Sequence, residues 1–310
     1  VKIMDEVIQT ENLTVRYGLR EALTSLTVRI TKGAVGLLGP NGAGKSTLIK
    51  TLLGLLPPAA GTAEILGKQV VGQSVEIRQQ VGYMPERNGF VPGLSAVEAV
   101  ALAGELGGLP RPVALERAHE VLRFAGLGEA RYRQVESYST GMLQRTKLAT
   151  ALVHDPELVL LDEPTNGLDP VGRRQMLDLI RDINHRHGIS VLLSTHLLHD
   201  VEAVCDSVAL LKAGKLILSG NLETLKRKPG GMYELRAKES TPGRFASALS
   251  ARGAVVSESQ DGLLRVTLED PDTRLLFETA KKIGAELRYL RRFEPSLEEV
   301  FLNAVGVEES

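Results

Sequence analysis

The chain has 310 residues, 43% of them hydrophobic, which is enough for one large core and a second small one. Its 37 basic and 38 acidic residues leave a net charge of -1, so no global basic field argues for a nucleic-acid binder. One cysteine, Cys205, excludes a disulfide framework, and no apolar run reaches the ~18–20 residues that span a bilayer.

The first residues, Val1 to Glu6, lack the apolar stretch of a signal peptide, and with the single cysteine they predict a soluble intracellular protein. Val7 to Ile30 alternate apolar and polar positions around a break at Tyr17-Gly18, the pattern of half-buried antiparallel strands. Ala34-Val-Gly-Leu-Leu38 reads as a buried strand, and Thr47 to Leu53 has the apolar spacing of a helix that Pro57-Pro58 should end. Gly61 to Gly67 looks like a short strand between turn glycines. From Pro92 to about Leu152 the pattern is helical. Leu158–Leu161 and Ser190–Leu193 read as buried strands, with a crossover helix from Arg173 to His187 between them. Leu198 to Cys205 is a helical run in which Cys205 is a small buried thiol.

Composition shifts at Arg227-Lys-Pro-Gly-Gly231, a linker. Beyond it the order is strand (232–237), helix (242–252), strand (254–259), an Asp261-Gly262 turn, strand (263–268), helix (272–283) and strand (286–291). This βαββαβ order is the ferredoxin-like pattern. A last helix, Ser296 to Asn303, opens with the capping box Ser296-Leu-Glu-Glu299. Its apolar face, Leu297, Val300 and Phe301, needs a surface to pack on, since a helix this short is unstable alone.

The chemistry begins at Gly39-Pro-Asn-Gly-Ala-Gly-Lys-Ser46, a G-x-x-x-x-G-K-S phosphate-binding loop between strand and helix, as that motif requires. Backbone N–H groups of Gly39, Pro40, Asn41, Gly42, Ala43, Gly44, Lys45, Ser46 and Thr47, proline excepted, can converge on nucleotide phosphates, and the helix dipole adds positive potential. Lys45 would reach the outer phosphates and Ser46 would ligate Mg²⁺. Asp162 and Glu163 end a buried strand at the same edge of the sheet. Asp162 suits a metal held through water, and Glu163 a general base on the attacking water.

Tyr138-Ser-Thr-Gly-Met-Leu-Gln-Arg145 resembles the signature motif of ATP-binding-cassette ATPases and precedes the strand that ends at Asp162. Asp162-Glu-Pro-Thr-Asn-Gly-Leu-Asp169 looks like the family's Walker B end and D-loop, and Ser194-Thr-His196 like its switch histidine. No Asn-Lys-x-Asp guanine-reading motif is present. The resemblance covers roughly residues 7 to 225 and implies a head-to-tail dimer, in which Ser139 and Gly141 of one copy close over the ATP of the other, with Asp169 beside them. It implies that His196 bonds the γ-phosphate and orients Glu163 or the water. Tyr17 aligns with the aromatic that stacks on adenine, although a hairpin aromatic can equally pack on the core. Tyr138 and Thr140 stand where the family usually has Leu and Gly. Glu86, after Val81-Gly-Tyr-Met-Pro85, replaces the usual glutamine, whose amide touches Mg²⁺ or the lytic water while its loop meets the transmembrane partner. A carboxylate there can still ligate the metal.

Two groups invite other readings. His185 and His187, at i and i+2, do not face each other and serve better as helix C-terminal caps than as metal ligands. Arg288, Arg291 and Arg292 read as a solvated strand edge.

The expected fold is thus α/β, a P-loop NTPase of the ABC cassette type: a RecA-like core with an antiparallel β subdomain and a helical subdomain, plus a small α+β ferredoxin-like C-terminal domain. The cassette is expected over 5–228, with the helical subdomain at about 87–155, and the accessory domain over 232–305. The expected function is an ATP-binding and hydrolysing subunit, using ATP and Mg²⁺, that powers transport across a membrane. Its partners would be transmembrane permease subunits on another chain and a second cassette, identical or paired, with no nucleic acid; its place is cytoplasmic, peripheral on the membrane face. The Ser139-Thr-Gly-Met142 signature and the Phe293-Glu-Pro-Ser-Leu-Glu-Glu-Val-Phe301 run resemble the ABC-2, drug- and polysaccharide-exporter type. The alternative is a soluble ABC ATPase acting on DNA or ribosomes, against which stand the single cassette and the lack of a long coiled-coil insertion. A ligand-sensing tail that regulates the ATPase is compatible with the first reading.

Overall fold

Alternating side chains give β1 (Glu6–Tyr17) and β2 (Arg20–Thr31), paired antiparallel across a turn at Gly18 and Leu19. The apolar run that follows is β3 (Ala34–Leu38), buried along its whole length, and a glycine-rich loop joins it to α1 (Lys45–Leu52). Next come β4 (Ala60–Ile65) and β5 (Lys68–Gln69), which complete a four-stranded antiparallel sheet in the order β2-β1-β4-β5. The chain continues through α2 (Ser74–Gln80) and β6 (Val81–Met84) into α3 (Ala96–Leu106), α4 (Arg111–Phe124) and α5 (Thr140–Leu152). Then follow β7 (Leu158–Asp162), α6 (Pro170–His187), β8 (Ser190–Thr195), α7 (Leu198–Val204), β9 (Ser207–Lys212), β10 (Lys215–Asn221) and α8 (Leu222–Lys226).

This computed structural model describes residues 6–87, 89–226, 231–238, 243–258, 263–268, 272–293 and 296–306. Residues 1–5, the linker residues 227–230 and the Asp261-Gly262 turn lie outside the described residues. The chain divides into two units, Val1–Leu222 and Glu223–Ser310.

In the first unit a six-stranded sheet runs β10-β9-β3-β8-β7-β6, parallel throughout except for β10, which is antiparallel to β9. Strands buried on both faces favour near-continuous apolar runs, which is why β3 and the centres of β7 (Leu158–Leu161) and β8 (Val191–Leu193) read as such, with polar residues only at the strand ends. One core cluster draws Leu13 and Leu26 of the antiparallel sheet together with Leu37, Leu160 and Leu192 of the parallel one and Leu48 and Ile49 of α1. Each such side chain contributes about 1.5–3 kcal/mol on burial, so the loop between β3 and α1 is anchored at both ends.

Some boundaries differ from the expectation. Helix α1 ends at Leu52, before Pro57-Pro58, because Gly54 takes a left-handed turn (φ 70°) and packs so closely on Ser74 that a Cβ there would stand 2.4 Å from Ser74 Cβ. Helix α6 starts at Pro170 rather than Arg173, because Asp169 caps it: the carboxylate accepts from Gly172 N at 2.7 Å, and proline fits the first turn. The helical region after Pro92 holds α3, α4 and α5 with two short 3-10 turns, Gly128–Tyr132 and Val135–Ser137, before α5, and α3 opens with a reciprocal Ser95–Glu98 capping box.

The second unit has β11 (Gly231–Lys238), α9 (Arg244–Ser250), β12 (Val255–Glu258), β13 (Leu264–Leu268), α10 (Arg274–Ile283), β14 (Glu286–Arg292) and α11 (Leu297–Gly306). Its sheet is antiparallel in the order β12-β13-β11-β14, the ferredoxin-like arrangement. Tyr233, Leu235, Phe245, Leu249, Val266 and Leu276 fill its core. Ser296 and Glu299 cap α11 reciprocally, and Leu297 and Phe301 are buried. The arginine cluster is only partly a solvated edge. Arg288 and Arg292 are exposed on edge strand β14, whereas Arg291 reaches the buried Glu234 at 2.8 Å, which also takes Arg265 at 3.1 Å. A buried carboxylate requires such partners.

Candidate nucleotide site

The loop between β3 and α1 is built from glycines for two separate reasons. Gly44, the N-cap of α1, has φ 106°, and a Cβ there would lie 2.6 Å from Leu23 Cδ2 and 2.9 Å from Ala22 O. At Gly39 the constraint is packing, since a Cβ would meet Leu211 O at 2.3 Å. Ala43 N donates to Pro40 O at 3.1 Å, closing the loop upon itself, and Gly214 N, in the turn between β9 and β10, donates to Ala43 O at 3.0 Å and ties the loop to that turn. The first-turn N–H groups of α1 have no helical acceptor and face outward with the positive end of the helix dipole.

Lys45 begins α1 and is 6% exposed; its Nζ donates to Gly39 O at 2.7 Å and Pro40 O at 3.3 Å. The same ammonium lies 3.5 Å from Glu163 Oε1, and Glu163 Oε2 lies 3.0 Å from His196 Nδ1. Base, cation and imidazole thus form one continuous chain of contacts. Glu163 takes φ 50°, a left-handed conformation that costs a non-glycine residue roughly 1–3 kcal/mol, and Ser194 O holds its N–H at 2.9 Å. That turn aims the carboxylate away from the β7 axis and onto Lys45.

Lys45, Ser46, Thr47, Asn41, Gly42, Ala43 and Gly44 line a cleft of about 810 Å³ together with Glu163, His196, Glu86 and Tyr17. Tyr17 is 48% exposed on the cleft wall, so packing on the core is not what holds it there. Gly39 and Pro40 contribute their carbonyls to Lys45 rather than surface to the cleft. Asp162 stands behind the wall, 2% exposed, with Oδ1 accepting from Ser194 Oγ at 2.9 Å. Ser46, Glu86 and Asp162 offer hydroxyl and carboxylate oxygens, the donor type a hard divalent cation requires.

Ser139, Gly141 and Asp169 are not in this cleft. They line a second one, of about 380 Å³, with Gly126, Arg145 and Gln175. Ser139 caps α5, its Oγ accepting from Met142 N at 3.4 Å. Tyr138 is buried beside it and donates its hydroxyl to Ala130 O at 2.6 Å, so the tyrosine in place of leucine is an anchor. Gln144 of α5 donates its Nε2 to Asn166 O at 3.0 Å, which ties the helix to a residue that lines the first cleft.

Sequence reasoning passed over Arg20, Asn166 and Lys147. Arg20 lines the nucleotide cleft because the two-residue turn pairs it with Tyr17, a register that the hairpin pattern could have supplied. Lys147 belongs to no motif in the sequence, yet it is 3% exposed, and burial pulls its ammonium down to about 8 against the opposing pull of Glu86 and Asp162. The nearby Tyr83 hydroxyl is pushed up to about 12 by burial, with Asp162 and Glu86 adding to the shift. His187 packs edge-on against Phe124, ring centroids 5.4 Å apart, and no cluster of three or more metal-ligating side chains occurs among the described residues. Cys205 is buried, and burial raises its thiol well above the usual range, so it is inert. No helix among the described residues is long and apolar enough to cross a membrane.

A family model described as "ABC transporter" matches residues 23–166. The bacitracin transport ATP-binding protein BcrA of Bacillus licheniformis is 32% identical over 307 residues, 98% of this chain and 98% of that protein. The linearmycin resistance ATP-binding protein LnrL of Bacillus subtilis (strain 168) is 33% identical over 309 residues, 97% of this chain and 98% of its own length. A solved structure titled as the ATP-binding subunit of an ABC transporter superposes with a TM-score of 0.64 at 31% identity, covering 71% of this chain and 92% of that one.

Proposed function

The chain belongs to the ABC transporter family as an ATP-binding subunit whose membrane-spanning partners are separate chains, and on that premise we propose how its residues bind and hydrolyse ATP. The N–H groups of the cleft-lining stretch Asn41 to Thr47 receive the phosphates, and Lys45 supplies the point charge at the outer two. Glu163 takes the proton of the attacking water, and His196 keeps the carboxylate and water aligned. Tyr17 stacks on the base. Ser46 and Glu86, with Asp162 behind them, are the residues that would hold Mg²⁺. That ion, when bound, neutralises charge on the transferred phosphoryl group.

Ser139, Gly141 and Asp169 serve a second copy's nucleotide: within one chain they open onto a different cleft from Lys45. A head-to-tail pair brings them onto the γ-phosphate as a second set of backbone donors. We further propose export as the direction of transport, at the cytoplasmic membrane face. Support comes from the exporter-like signature and C-terminal run and from full-length likeness to proteins named for bacitracin transport and linearmycin resistance.

The contact chain Lys45–Glu163–His196, at 3.5 and 3.0 Å within one cleft, carries the hydrolytic reading. Purified protein is expected to hydrolyse ATP, and Lys45→Ala to lose on the order of 10²–10³-fold in rate by removing the charge at the outer phosphates. Equal rates for the variant and the parent would refute the loop assignment.

A further inference from the structure

Helix α5 is fastened to β6 and the loop beyond it at three successive places. His154, just past the helix, has Nε2 3.3 Å from Val81 O. One turn earlier, a Cβ on Gly82 would stand 2.0 Å from Ala151 O, so helix and strand backbones touch. One turn earlier again, Lys147 Nζ donates to Pro85 O at 2.7 Å and to Glu86 O at 2.8 Å. A side chain needed only for packing there requires no charge, since its neighbours Leu148 and Ala149 are buried and apolar. Burying an ammonium is costly unless it is hydrogen-bonded, and bonds from a charged donor are roughly twice as strong as neutral ones. The loop so held places Glu86 on the nucleotide cleft. The helix that holds it begins at Ser139, two turns or about 12 Å from Lys147.

We propose that Lys147 is a positioning residue for ATP hydrolysis: its ammonium ties the loop after β6 to α5, so that the place of Glu86 in the cleft follows the helix that starts at Ser139. The inference rests on the reading of the Lys45–Glu163 cleft as the hydrolytic centre. A helix two turns long between these points does not bend appreciably, so a nucleotide that draws in the Ser139 end also moves the loop. Lys147 thereby connects what α5 meets in one copy's interface to the composition of its own chain's cleft.

The test uses the full chain, with ATP and Mg²⁺ titrated separately in a hydrolysis assay. Lys147→Met keeps the stem and removes the donors; Lys147→Gln retains an N–H. The Met variant is expected to lose about 10- to 100-fold in kcat, the scale of a misplaced catalytic group, with KM for ATP unchanged and more Mg²⁺ needed for half-maximal rate. The Gln variant should recover part of the loss. In a Glu86→Ala background the effect of Lys147→Met should shrink, because the loop then has no carboxylate to present. An equal loss in both backgrounds, an unchanged kcat, or failure of both Lys147 variants to fold would overturn the proposal and leave Lys147 a stabilising residue. A parent chain that does not hydrolyse ATP would instead refute the functional reading beneath it.

Discussion

Helices α1 and α5 both open with backbone N–H groups free to meet an anion, but only α1 is surrounded by the means to react with one. Around α1 stand Lys45, Glu163 and His196, each within 3.5 Å of the next. Around α5 the donors are bare: Ser139 and Gly141 share their cleft with Asp169, and Arg145 is already engaged by Ala125 O at 3.2 Å and Gln175 Oε1 at 2.5 Å. On the function proposed above, one terminus binds and transforms a phosphate, while the other clamps it. The two sets of residues line separate clefts of the chain, and on that reading a second copy is what brings the two halves of a site together.

The largest effect should come from the reactive half. Glu163→Gln keeps the shape and removes the base, and hydrolysis is expected to fall on the order of 10²–10⁴-fold while ATP still binds. An ATP-bound dimer should then accumulate and elute early on size exclusion; normal turnover would move the base elsewhere. The clamping half is addressed by Gly141→Asp. A Cβ at Gly141 meets only Leu168 Cδ2, at 3.8 Å, so the variant has room to fold. Its carboxylate should repel a partner's γ-phosphate and slow hydrolysis roughly 10- to 100-fold, with ATP affinity of the dilute chain untouched. If affinity for ATP fell as well, the two termini would not be divided as described. The smallest effect should be at Tyr17, where Tyr17→Ala removes base stacking worth ~1–3 kcal/mol. ATP binding measured by calorimetry should weaken accordingly, with little change in kcat.

The reactive half was far more legible in the sequence than its connections. The loop, Asp162, Glu163 and His196 are readable because each closely follows the apolar centre of a strand buried on both faces, a setting that favours that pattern. The order βαββαβ was likewise readable from alternation and turn residues. Lys147 was not, because a lysine on a helix gives no sign of facing two carbonyls from another element until that element's backbone is in place. Arg291 escaped for the same reason: its partner Glu234 lies 57 residues away on a neighbouring strand. The end of α1 was misplaced because the packing of Gly54 on Ser74, not a local proline, stops it. Local pattern encodes strands and phosphate loops, whereas long-range hydrogen bonds to backbone leave little trace in it.

The central claim, that each working site combines the α1 half of one copy with the α5 half of another, is tested most directly by mixing two impaired variants. Lys45→Ala damages only the reactive half and Gly141→Asp only the clamping half. In a mixed dimer, the intact loop of the Gly141→Asp chain faces the intact Ser139–Gly141 donors of the Lys45→Ala chain, leaving one undamaged site. Mixing the purified variants is predicted to restore ATP hydrolysis above the level of either alone, in proportion to mixed dimer formed. Mixtures that hydrolyse ATP no faster than the separate variants, although mixed dimers are shown to form, would contradict it.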